Sequence, residues 1–177
     1  MQIRSKNTDQ CCSAGCNCNI DTDNNEICRY CKSAGIYVGY PVLKRFIKQE
    51  WQRDIKKDDF FYLCSNPDCN ITYFSNRKSL YFTTDDIKIP IWFKRGASPK
   101  IICYCHRITE DMIREQVIKN NLTSFREIVL KYRKRIVCNC DRMNPAGQCC
   151  TKYFYSVINE TLKSLGKPEV EIPENCC

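Results

Sequence analysis

The chain has 177 residues, 16 of them cysteine, and a formal net charge of +8. At that density thiols build a framework, either disulfides in a secreted chain or metal centres in an intracellular one. The N-terminal MQIRSKNTDQCC lacks the apolar core of a secretory signal, and no run of about 18 apolar residues occurs, which argues against export and membrane insertion and for a cytoplasmic metalloprotein.

The positive charge suggests an anionic partner, nucleic acid first. Two four-thiolate centres, each dianionic with its metal, would halve that excess. The Lys and Arg residues of KRFIKQEWQRDIKK and KYRKR also lie along amphipathic segments, so they read as solvated faces and nucleic acid is not the favoured partner.

In chain order, residues 1–27 carry CCSAGCNC and then IDTDNNE, with almost nothing to bury, and read as a flexible cysteine-containing tail. From Cys28 the composition changes. CRYC and a turn-like KSAG precede PVLKRFIKQEWQRDI, where Val42, Leu43, Phe46, Ile47 and Trp51 follow helical spacing. FFYLC, NITYF and SLYFT are short aromatic and β-branched runs separated by SNPD and SNRK, the pattern of strands joined by tight turns. Residues 28–88 thus form a small β-rich unit with one helix. The stretch IKIPIWFKRGASPK, with two prolines and a glycine, makes 89–100 the expected linker.

Residues 101–166 read as a helical unit. Thr109 caps a helix running to about Asn120. Ser124 with Glu127 is a capping box for a second helix through Phe125, Ile128, Val129, Tyr132 and Ile136. A third begins near Cys150 and ends at Gly166, a C′ residue. Residues 167–177 form a C-terminal tail. The fold class is α+β: a treble-clef or ribbon-like unit followed by helices whose ends hold the cysteines.

Cys-x-Cys and Cys-x2-Cys pairs set two thiolates at the bite of one metal. The first constellation is Cys28-x2-Cys31 with Cys64-x4-Cys69. Each half sits at a turn where backbone N–H groups can donate to sulfur, and four such ligands satisfy a closed tetrahedral Zn2+ site. The second is Cys103-Tyr104-Cys105 followed by CNCDRMNPAGQCC. Two thiolate pairs arriving from two directions are what a [2Fe-2S] cluster needs, and a sulfur at a helix start gains from the orphan N–H groups there. Spacing alone leaves a second zinc site open. It also leaves open which of Cys138, Cys140, Cys149 and Cys150 serve. His106, the only histidine, fits packing or support of the ligands, since a Rieske-type centre needs two histidines.

CRYC, FYLCSNPDCNITYF, PIWFK with IICYC and ITEDMIRE, and CNCDRMNPAGQCC together resemble the N-terminal, metal-binding half of CopZ-type copper chaperones. That family joins a zinc-binding unit to a [2Fe-2S] unit similar to bacterioferritin-associated ferredoxin. The resemblance spans residues 28–166. It implies zinc at Cys28, Cys31, Cys64 and Cys69, and a [2Fe-2S] cluster at Cys103, Cys105, Cys140 and Cys150. It further implies one-electron transfer supporting Cu(II) reduction to Cu(I), and delivery to a copper-exporting P-type ATPase or a separate copper-binding domain. The family's Met-x-Cys-x2-Cys copper loop is not found here. The cysteines of CCSAGCNC and the Cys176-Cys177 pair are soft Cu(I) candidates in its place. No acid, base or nucleophile is arranged for turnover, so the chain reads as an electron carrier or metallochaperone with a redox partner. The alternative is a [2Fe-2S] electron-transfer adaptor with no copper role.

Overall fold

The computed structural model describes residues 26–174. The CCSAGCNC segment and the Cys176-Cys177 pair, both read as copper candidates, lie outside the described residues.

The fold is a mixed α/β arrangement opened by a small antiparallel sheet. Strands β1 (Gly35–Val38), β2 (Phe61–Cys64), β3 (Ile71–Ser75) and β4 (Leu80–Thr83) follow one another in spatial order β1-β2-β3-β4. Every residue of β2 and β3 is buried, which is why these runs are apolar and aromatic on both faces. Gly35 pairs with Cys64 at the sheet's edge. A Cβ there would lie 2.6 Å from Tyr62 Cβ and 2.9 Å from the Glu26 carbonyl oxygen, so only glycine fits.

Helix α1 (Tyr40–Phe46) carries Pro41 in its first turn and buries Val42, Leu43 and Phe46. The apolar spacing predicts one helix reaching Trp51, but the helix ends at Ile47, which turns extended and bridges Ile87. The side chain of Gln52 donates to the carbonyls of Lys44 at 2.7 Å and Ile47 at 3.0 Å, taking acceptors left over where the helix stops. A separate 3-10 helix spans Gln49–Asp54, and Trp51 is exposed.

Past the sheet, β5 (Ile101–Cys103) and β6 (Ile108–Thr109) form a two-stranded antiparallel pair. Helix α2 (Glu110–Asn120) starts where Thr109 Oγ1 accepts the Met112 N–H. Helix α3 (Phe125–Tyr132) starts where Ser124 Oγ accepts the Glu127 N–H, so Ile136 falls outside it. A short α4 (Cys140–Met143) and the longer α5 (Thr151–Ser164) complete the chain, with Gly166 at φ 68° past the last turn.

The stretch 89–100 is not a solvated connector. Ile91, Trp92 and Lys94 are buried, and the Tyr104 hydroxyl donates to the Pro90 carbonyl at 2.6 Å while accepting the Trp92 N–H at 3.1 Å. One apolar core therefore runs from Phe46, Phe61 and Phe82 through Trp92 and Tyr104 to Ile113, Ile128, Phe154 and Ile158. A smaller cluster of Tyr62, Ile71 and Phe74 packs around Cys28 and Cys64.

Candidate metal centres

The first centre lies at the open end of the sheet. Cys28 and Cys31 come from the turn before β1, Cys64 ends β2, and Cys69 sits in the loop into β3. All four sulfurs lie within 4.8 Å of one another, with Cys31 and Cys64 3.4 Å apart. A Zn–S distance of about 2.3 Å requires tetrahedral sulfurs about 3.8 Å apart, so the donor set fits zinc in number, type and spacing.

The turns supply donors as expected. Burial pushes the Cys31 thiol up, but the Ser33 hydroxyl and N–H, with the Cys64 and Cys69 thiols, outweigh it and hold Cys31 down to about 6. Burial dominates at Cys64 and Cys69 and keeps them raised, against N–H donors from Asn66 and Ile71. A bound metal displaces the remaining protons.

Behind this centre stands a residue that the sequence reading passed over. Lys94, only 3% exposed, donates from Nζ to the carbonyls of Asn66 at 2.8 Å, Cys69 at 3.1 Å and Ile71 at 2.8 Å. Burial lowers its pKa, and the neighbouring cysteines oppose that shift. A lysine in an expected linker gives no local signal of such contacts.

The second group forms where β5, α4 and α5 meet. Cys103 ends β5, Cys105 lies in the β5–β6 turn, Cys140 opens α4 and Cys150 is the N-cap of α5. Cys105 and Cys140 sulfurs are 3.7 Å apart. The thiols of Cys103, Cys105, Cys140 and Cys150 lie close enough to act on one another's protons, so the four form one interacting ring. Within the ring, bonds from Cys103 and Cys140 hold Cys105 down to about 3 and Cys150 to about 5. The same bonds raise Cys103 and Cys140. The Asn139 N–H also donates to Cys105 Sγ at 3.4 Å.

The first group brings all four sulfurs within 4.8 Å of one another, and the 3.7 Å between Cys105 and Cys140 in the second is likewise a separation that two ligands of one metal centre can have. Of the two other cysteines in this loop, Cys149 is exposed with its Sγ 3.1 Å from Thr151 Oγ1, and Cys138 is disulfide-bonded.

His106 is 4% exposed, with Nδ1 3.3 Å from Cys103 Sγ and Nε2 2.9 Å from the Val137 nitrogen. Burial lowers its pKa, while the neighbouring Cys105 and Cys150 act to raise it.

These features define, first, a zinc-binding unit: residues 25–88 match the family described as "Zinc binding domain", of the CopZ type. The chain is also 30% identical over 123 residues to the copper chaperone CopZ of Archaeoglobus fulgidus, an alignment covering 70% of this chain and 57% of that protein. It thus spans little more than half the length of that relative. In three dimensions it resembles the X-ray structure of the Archaeoglobus fulgidus CopZ N-terminal domain, with a TM-score of 0.60 and 27% identity, covering 81% of this chain and 99% of that one. No helix among the described residues is long and apolar enough to cross a membrane.

Proposed function

We propose that this chain is a cytoplasmic copper-handling metalloprotein with two resident centres. Zinc is held by Cys28, Cys31, Cys64 and Cys69 and fixes the unit spanning 28–88. A [2Fe-2S] cluster is held by Cys103, Cys105, Cys140 and Cys150 in the unit spanning 101–166. The observation that carries the reading is a second group of thiols, separate from the first, in which the Cys105 and Cys140 sulfurs lie 3.7 Å apart.

A [2Fe-2S] centre supplies one electron at a time, the stoichiometry for converting one Cu(II) to one Cu(I). The chain's own residues would shield that centre: Cys103 and Cys150 are almost fully buried, whereas Cys105 and Cys140 are partly exposed and form the edge an electron would cross. Reducing equivalents come from a redox partner, and the cargo passes as Cu(I) to soft thiolates and a copper-exporting P-type ATPase. Similarity to the Archaeoglobus fulgidus copper chaperone supports the copper role.

The test is anaerobic. The chain is loaded, reduced and mixed with Cu(II), while visible absorbance and a Cu(I)-specific chelator are followed together. Reoxidation with one Cu(I) formed per chain supports the reading; a centre that stays reduced while Cu(II) persists sinks it.

The basic run Arg133, Lys134 and Arg135, half-buried at Arg133 and exposed at the other two, lies just before the second centre and favours an alternative in which an acidic oxidoreductase docks there and copper has no part. Titration with Cu(I) separates the two, since an adaptor with both centres filled binds none tightly.

A further inference from the structure

Resting on the cluster reading above, we propose that His106 is a positioning residue: its neutral imidazole donates Nδ1–H to the Cys103 sulfur and favours the one-electron-reduced form of the centre. The tautomer follows from the partners of the ring. A backbone N–H can only donate, and the Val137 N–H points at Nε2 from 2.9 Å, so Nε2 is the lone-pair acceptor. An Nε2 that accepts carries no proton, so the ring's one N–H is on Nδ1. That atom faces Cys103 Sγ at 3.3 Å, within reach of an N–H donor to sulfur.

The ring has little freedom to adopt another arrangement. It is 4% exposed and meets Phe125 edge to face with centroids 6.0 Å apart. Both nitrogens are engaged, one with backbone and one with a ligand sulfur, so the histidine supports a ligand without replacing it. The Val137 contact also ties the loop before Cys140 to the turn carrying Cys103 and Cys105.

The physical consequence concerns charge. Adding one electron from a reductant raises the negative charge shared by the sulfurs, and a fixed N–H donor gains strength as its acceptor becomes more negative. No proton needs to move, because the donor is already protonated at the nitrogen facing sulfur.

The experiment compares the full chain with His106→Leu and His106→Gln. Iron, sulfide and visible absorbance are measured first, then the midpoint potential by electrode titration with dithionite as reductant. The leucine variant is expected to keep its cluster and favour the reduced state on the order of tenfold less. That is a fall of about 59 mV for a one-electron couple. Glutamine, which retains an N–H donor, is expected to recover part of the shift.

A loaded leucine variant with the wild-type potential overturns the proposal. If that variant does not load, long-range nitrogen–proton NMR on the wild-type chain before iron loading decides: a proton on Nδ1 supports the assignment, and one on Nε2 overturns it. A wild-type chain holding no iron or sulfide overturns the cluster reading and the tuning role with it, while the NMR result still judges the histidine geometry separately.

Discussion

The Tyr73 hydroxyl, carried by the central strand β3, donates to the carbonyl of Pro145 at 2.9 Å, in the loop between Cys140 and Cys150. Both residues are buried, and Tyr73 is fully enclosed. One hydrogen bond thus joins the sheet that presents the first group of thiols to the loop that presents half of the second.

Tyr73→Phe keeps the ring and removes the donor, leaving the Pro145 carbonyl without it. The expected cost is about 1–2 kcal/mol, read as a lower denaturation midpoint with an unchanged denaturant slope. An unchanged midpoint would show that the contact adds nothing to stability.

Lys94→Met removes a buried cation from three carbonyls of the zinc loop. The change should cost about 3 kcal/mol and speed zinc loss to a competing chelator. Lys94→Arg should not restore wild-type behaviour, because a planar fork cannot reproduce a compact ammonium serving three converging acceptors. Chelator competition on the purified variants measures both.

Gly35→Ala places a methyl against Tyr62, Phe74 and the Glu26 carbonyl at separations of 2.6–2.9 Å. Backbone and aromatic atoms must shift, so a loss of about 1–3 kcal/mol is expected. Because Gly35 pairs with Cys64, zinc affinity should fall in parallel. A variant with normal melting but impaired zinc binding would separate the two effects.

Asp59 has a lowered pKa: burial acts to raise it, but Lys78, paired at 2.5 Å, and the Lys56 N–H outweigh that cost. A lowered carboxyl pKa contributes stability above the unfolded-state value of about 3.9, and this is lost as pH falls through the folded value. Wild type should therefore lose more stability than Asp59→Asn between about pH 5 and the acid limit. Parallel slopes in urea melts across that range would contradict the assignment.

Cys150→Ser should abolish iron and sulfide incorporation, and Cys149→Ser should leave it near wild type. Cys150 is buried within the ring, whereas Cys149 is exposed beside it. Metal and sulfide analysis of anaerobically purified variants distinguishes the two, and loss of the cluster in the Cys149 variant would reassign the ligands.

Much of the architecture is legible because its signals are local. Thr109 and Ser124 mark helix starts through an oxygen placed three residues before the N–H it accepts, and Gly166 marks an end through its positive φ. The gathering of Cys28, Cys31, Cys64 and Cys69 is likewise readable from paired spacing. Where the reading strays, a contact distant in sequence decides. Helical spacing continues to Trp51, but the Ile47–Ile87 bridge and the Gln52 side chain end α1 earlier. Prolines and a glycine make 89–100 resemble a connector, yet Tyr104 fixes its backbone and Trp92 packs against Tyr104 and Tyr153. Lys94 escapes notice for the same reason, its partners lying more than twenty residues away, and the supporting place read for His106 gains its particular contacts only from Val137, which is likewise distant in sequence.

The unbroken core through Ile91, Trp92 and Tyr104 makes the two ends of the molecule parts of a single cooperative unit. Any ligand that binds only the folded chain stabilises it according to its concentration relative to its dissociation constant. Metal captured at the sheet therefore lowers the population of opened chains whose remaining thiols are accessible to oxidants. On the proposed assignment of zinc to the first group, zinc supply would set how long the second group of cysteines stays reduced.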